Sequence, residues 1–164
     1  MKIIFKTYYN QGDSRTLCHL FKEGSMEAIH IMAERMSLLV PPESILIPVP
    51  SRYGYATNTL ILANEIARIS GSPVADILKG VNRESNYIAK KQGHPLHIND
   101  LGFYKTGDTS LTPCFVDNVI DTGVTMNAAL KVFGYGVGLV YSRSTRVDKK
   151  QFPSDGIIPY FCLT

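Results

Sequence analysis

Tryptophan is absent from this chain of 164 residues, and cysteine occurs only three times, at Cys18, Cys114 and Cys162. The three cysteines are far apart, odd in number and set among apolar neighbours with no Cys-x-x-Cys, so neither a disulfide framework nor a zinc cluster is indicated. His94 and His97 stand close in sequence, but Pro95 breaks the helix that would pair them and no third ligand follows. No apolar stretch reaches the roughly eighteen residues that a membrane span needs. The N-terminus, MKIIFKTYYN, has a short apolar run without a small-residue cleavage site, so no secretory signal is expected and the cytoplasm is the expected compartment. Charge is sparse as well. With 19% charged residues and a net charge of +3, the chain gives no ground for a nucleic-acid partner and suits a small polyanionic substrate equally well. Repeats, low-complexity runs and linkers are missing, and a 45% hydrophobic composition fits one globular domain over residues 1–164.

What is present is concentrated in Pro113 to Phe133, PCFVDNVIDTGVTMNAALKVF. Pro113 bounds an apolar run, Cys114-Phe115-Val116, that predicts a buried strand. A connection from Asp117 to Thr125 follows, then a helical pattern through Phe133 with Gly134 as its stop. A strand, a loop with Thr-Gly-x-Thr and a helix N-terminus make an anion site, because backbone N–H groups converge there and the helix dipole favours negative charge. Gly123 permits a tight turn and close approach of a phosphate to the backbone. Asp117 and Asn118 are suited to accept hydrogen bonds from sugar hydroxyls, and Asp121 stands at the loop mouth. A phosphate cradle at Thr122, Gly123, Val124 and Thr125, with diol acceptors beside it and a lone carboxylate above, describes a ribose 5-phosphate pocket.

The segment VDNVIDTGVTM resembles the 5-phosphoribosyl-1-diphosphate (PRPP) binding motif of type I phosphoribosyltransferases: apolar residues, two acids, two apolar residues, then Thr-Gly-x-Thr. It is especially similar to the form in hypoxanthine-guanine enzymes, where an aspartate holds the position of Asp121. Two positions depart from the pattern: Asn118 replaces the usual second acid, and Val124 occupies a loop position that varies among families. Two more passages, HLFKEGSMEAI and ILIPVPSRYGYATNTLILANEIA, are similar to ComF-like members of the same superfamily, although the cysteine cluster usual in those proteins is absent.

The resemblance implies an α/β fold, a Rossmann-like parallel sheet flanked by helices, with a small or reduced hood. It implies transfer of ribose 5-phosphate from PRPP to a nucleobase, a purine type being favoured, with release of pyrophosphate and with Mg2+ as cofactor. In that reading Asp117 and Asn118 hold the ribose, Asp117 also meeting the metal directly or indirectly. Asp121 is the catalytic residue that takes or shares the proton on the base, and Thr122, Gly123, Val124 and Thr125 hold the 5-phosphate. Ser51 and Arg52, in the loop after an earlier strand, meet the pyrophosphate. A homodimer is compatible with the resemblance. The neutral Asn118 keeps open a regulatory module that binds PRPP or a nucleotide without turnover, and the ComF-like passages keep open an accessory role in DNA uptake.

Elsewhere, patterning predicts strands at Lys2 to Tyr9, Thr16 to Phe21, Ser44 to Val49, Pro73 to Leu78 and Gly136 to Tyr141. One helix is predicted behind Ser25, with Met26, Ile29, Ala33, Met36 and Leu39 on its apolar face before Pro41-Pro42; another runs from Thr57 to Ile69, with Gly71 at its end. Arg52, in the loop from Pro50 to Tyr55, offers two parallel donors to phosphate oxygens or is a solvated loop residue. From Val81 to Thr112 periodicity dissolves, as it does in functional lids. In the resembled family a flexible loop here folds over PRPP. Arg83, Lys90 and Lys91 either bring positive charge to the diphosphate or form a solvated basic face. The apolar tail, Gly156 to Thr164, reads as a last strand or part of the hood.

Overall fold

A computed structural model describes residues 1–144. Its elements run β1 (Lys2–Tyr8), α1 (Ser14–Lys22), α2 (Met26–Ser37), β2 (Ser44–Pro48), α3 (Asn58–Ser70), β3 (Leu78–Lys79), α4 (Asn86–Lys91), a 3-10 turn (Ile98–Leu101), β4 (Tyr104–Lys105), β5 (Thr112–Ile120), α5 (Val124–Phe133) and β6 (Val137–Arg143). β1, β6, β5 and β2 lie side by side in that order as a four-stranded, wholly parallel sheet. Parallel sheets are covered on both faces, which is why SILIP, PCFV and GLVY read as nearly unbroken apolar runs. One face packs Ile4, Leu46, Cys114, Val116, Leu139 and Tyr141 against α1, α2 and α3. The other packs Ile3, Phe5, Ile47, Phe115 and Val140 against Met126 and Ala129 of α5 and against Leu78. The molecule is therefore α/β, a parallel sheet with helices on both faces, compatible with a Rossmann-like fold.

The helix predicted behind Ser25 is present: Ser25 Oγ accepts the N–H of Ala28 at 3.3 Å, and Met32 and Met36 are fully buried core residues. α3 and the strands predicted at both ends of the sheet are present as well. Four expectations need correction. Thr16 to Phe21 is not a strand but most of α1, because Ser14, Leu17, Cys18 and Phe21 recur at helical spacing and are all buried. Pro73 to Leu78 is not a full strand: Val74 alone bridges to Leu46, and Leu78 turns away to pair antiparallel with Lys105. The third concerns the motif itself, where β5 continues through Asp117 and Asn118 to Ile120, so the loop is confined to Asp121–Gly123. The stretch from Val81 to Thr112 is not wholly irregular, holding α4, the 3-10 turn and β4. The tail expected as a last strand or hood, Gly156 to Thr164, lies outside the described residues. No helix among the described residues is long and apolar enough to cross a membrane.

Candidate functional site

In open parallel sheets ligands bind beyond the carboxyl ends of the strands. Here the ends of β2 and β5 adjoin: Pro48 is in register with Val116, and the Val49 N–H donates to the Val116 carbonyl at 3.1 Å. β5 delivers Asp121, and Gly123 then takes a left-handed φ of 81° as the N-cap of α5, a conformation that a residue with a Cβ adopts only with strain. No side chain caps this helix start, so its first N–H groups face the loop without a side-chain partner. Thr122, Gly123, Val124 and Thr125 thus stand where a helix dipole and free donors coincide.

A change in strand alternation sets the acids beneath this loop. Cys114 and Val116 pack into the first core and Phe115 into the second; past Asn118 the parity reverses, with Val119 on the first core and Ile120 on the second. β1 shows the same reversal, Ile4 and Tyr9 on the first core against Phe5 and Tyr8 on the second. The pairing register is unbroken through this point, with Asp117 opposite Val140 and Val119 opposite Ser142, so the side chains are re-aimed without a slip or a bulge. At the reversal the Asn118 N–H donates to Asp117 Oδ1 at 2.8 Å. Asp117 comes within electrostatic reach of Lys22 on α1 and of Arg83, yet desolvation outweighs both and its carboxyl is pushed up to about 6. Asn118 is 6% exposed, and its Nδ2 has no hydrogen-bond partner among the described residues. A buried amide donor left unpaired costs stability unless a ligand or water satisfies it.

The segment after β3 brings cations to the same edge. The Arg83 N–H donates to the Arg52 carbonyl at 2.8 Å, joining this segment to the loop after β2. Arg83 Nη1 donates to Asn86 Oδ1 at 3.2 Å, while its Nε is buried without a partner among the described residues, and burial lowers the pKa of the guanidinium although Asp117 opposes that shift. α4 then reaches over the loop: Lys90 Nζ meets Asp121 Oδ2 at 3.4 Å, and Asn86 Nδ2 meets Thr125 Oγ1 at 3.4 Å. Lys91 is exposed in the last turn of α4 and has no hydrogen bond or ion pair among the described residues. Arg52 is turned onto Tyr53, its Nη2 donating to the phenol oxygen at 2.7 Å, and Ser51 Oγ accepts the Tyr53 N–H at 3.2 Å. The structure thus gathers Asp117, Asn118, Asp121 to Thr125, Arg83 and Lys90 at one edge, with Ser51 and Arg52 on its rim.

Sequence reasoning missed Lys22 and Asn86. Lys22 ends α1, and the strand expected over Thr16 to Phe21 concealed it; the helical spacing of Leu17, Cys18 and Phe21 was the available signal. Asn86 carried none. A cleft of about 500 Å³ continues along α5, lined by His97, Ile98, Asn99, Val124, Asn127 and Lys131, with Lys131 Nζ bonded to Asn99 Oδ1 at 2.8 Å. Cys18 and Cys114 are buried free thiols whose pKa burial raises, that of Cys114 to about 12, so neither is a thiolate near neutral pH. Among the described residues no three His, Cys, Asp or Glu side chains cluster as a metal cage. Compared with protein-family models and with curated protein sequences, the chain matches none.

Proposed function

We propose that this protein binds PRPP at the carboxyl edge of β2 and β5 and transfers its ribose 5-phosphate to a nucleobase, releasing pyrophosphate. One observation carries the reading: an uncapped helix start follows, across the short loop Asp121–Gly123, on a strand that bears Asp117 and Asn118, with Arg83 in electrostatic reach of Asp117 and Lys90 on Asp121. The N–H groups and hydroxyls of Thr122 to Thr125 bind the 5-phosphate. Asp117 and the Asn118 amide hold the ribose hydroxyls, which gives the unpaired Nδ2 a hydroxyl oxygen as acceptor. Arg83, with Ser51 and Arg52 on the rim, meets the diphosphate.

The donor set suits Mg2+, which binds through one or two carboxylates and substrate oxygens while keeping waters. Among the described residues Asp117 accepts a single hydrogen bond, from the Asn118 N–H, and so keeps oxygen lone pairs for a metal or for ribose. When bound, Mg2+ would neutralise charge on the diphosphate. Asp121 acts on the acceptor base, taking or sharing the proton of the attacking nitrogen. Its pairing with Lys90 is between two half-exposed groups at 3.4 Å, a contact worth at most ~1 kcal/mol, so a base can displace it. Negative charge beside the ribose stabilises the positive charge that develops at its C1 as pyrophosphate leaves.

Asn118 supports a second reading, a module that binds PRPP without turnover, because an amide in place of an acid removes one negative charge from this site. One assay separates the two: pyrophosphate release from PRPP in the presence of nucleobases, measured for the native chain and for Asp121→Ala. The transferase reading expects release with at least one base, a loss of about a hundredfold or more in Asp121→Ala, and unchanged PRPP affinity. Equal activity in the variant removes Asp121 from the chemistry, and binding without release for every base selects the module.

A further inference from the structure

We infer that Tyr53 is a positioning residue for Arg52, holding its guanidinium ready for the pyrophosphate group; this rests on the reading of the loop after β2 as the pyrophosphate site. The Arg52 guanidinium carbon lies 4.8 Å from the centroid of the Tyr53 ring, and its Nη2 also donates to the Tyr53 hydroxyl at 2.7 Å. Tyr53 in turn stacks on Tyr55, with centroids 6.3 Å apart and planes 29° from parallel. Both rings are about half exposed, 48% and 55%, so this stack stands in solvent at the rim and is not buried in the core.

The loop beneath the stack is held from both sides. Within it, Ser51 N–H donates to the Tyr55 carbonyl at 2.9 Å and Gly54 N–H to the Ser51 carbonyl at 3.0 Å. From the neighbouring segment, Gly80 N–H donates to the Gly54 carbonyl and Arg83 N–H to the Arg52 carbonyl, each at 2.8 Å. Gly54 has φ +89°, and a Cβ there would lie 2.5 Å from the Gly80 carbonyl oxygen, so this closeness depends on glycine.

A free arginine on a loop surrenders considerable rotamer freedom when it binds an anion. Bonded at the hydroxyl end of a ring that itself rests against Tyr55, Arg52 has lost part of that freedom beforehand, and affinity gains accordingly. The bond to Tyr53 uses one of the five N–H donors of the guanidinium, and Tyr53 is its only hydrogen-bond partner among the described residues. The remaining donors are enough for a two-pronged contact with phosphate oxygens. Cation–π attraction and the hydroxyl bond thus make Tyr53 an orienting group that need not touch the ligand itself.

The test is calorimetric titration of the full chain with inorganic pyrophosphate and Mg2+, and separately with ribose 5-phosphate, for the native protein, Tyr53→Phe, Tyr53→Leu, Arg52→Ala and Arg52→Ala/Tyr53→Leu. Tyr53→Leu is expected to weaken pyrophosphate binding about fivefold or more, and Tyr53→Phe, which keeps the ring, by less. In the Arg52→Ala background Tyr53→Leu should have no further effect, and ribose 5-phosphate affinity should stay at the native value in every variant. Native pyrophosphate affinity in Tyr53→Leu, or an equal loss with and without Arg52, overturns the inference. Unchanged pyrophosphate binding in Arg52→Ala overturns it too, by removing Arg52 from the pyrophosphate site. Failure of the native chain to bind ribose 5-phosphate would instead strike at the proposed function.

Discussion

Around the middle of the sheet, Leu46, Ile47, Cys114, Phe115 and Leu139 are completely buried and the two cores meet across the strands. A few residues further along β5 the character changes: Asn118 keeps a buried Nδ2 without a partner among the described residues, Asp117 is a carboxylate forced toward its neutral form, and Arg83 has a buried Nε with nothing to bond among them. The first region has its polar demands met by the parallel ladder and its side chains by packing. The second holds polar groups in positions that the protein alone does not satisfy. Unsatisfied buried groups subtract from stability unless a ligand or water meets them, and two lie at this edge, Asn118 Nδ2 and Arg83 Nε.

The contrast can be broken at either end. Phe115→Ala, in the fully buried region, should cost about 3–5 kcal/mol in urea-induced unfolding. A loss below ~1 kcal/mol would show that this half is not the source of stability. Thr125→Val, at the other end, should leave unfolding nearly unchanged while weakening ribose 5-phosphate by roughly tenfold or more, the effect of losing a hydroxyl donor to a charged group. Unchanged affinity by calorimetry would count against the cradle.

For Asp117 the sign of the effect is the informative part. Its folded pKa, about 6, lies above the ordinary carboxylate value of 3.8, so the folded protein holds a proton that the unfolded chain has already released. Stability from this group is therefore lost as pH rises from about 4 to about 6, and the penalty is fully present above that window. Asp117→Asn should stabilise the ligand-free protein by up to about 3 kcal/mol at pH 7.5, with little change at pH 4, while PRPP affinity falls. Thermal unfolding at the two pH values reads this directly. Destabilisation at pH 7.5 would mean that the carboxylate is well accommodated and that the edge is not strained.

Much of this division was legible in the residues. The apolar runs SILIP and PCFV predicted buried strands, and Gly123 with the periodic residues after it predicted a helix start at the loop. The apolar run of β5 ends at Val116, whereas the strand runs on through polar residues to Ile120, held by its pairing with β6. For the same reason Asp117 and Asn118 read as loop although they lie in the strand. α1 was hidden because TLCHLF tolerates either state locally, and its burial on the first core decides for helix. Arg83 and Lys90 were readable only as charge for the diphosphate or as a solvated face; their approach to the acids was not, since a contact such as Lys90 to Asp121 spans 31 residues and is fixed only by tertiary packing.

The most direct test of the central claim is calorimetric titration of the native chain with PRPP, with and without Mg2+. The account predicts saturable binding that strengthens with Mg2+ and weakens in Thr125→Val. No binding under either condition would contradict it.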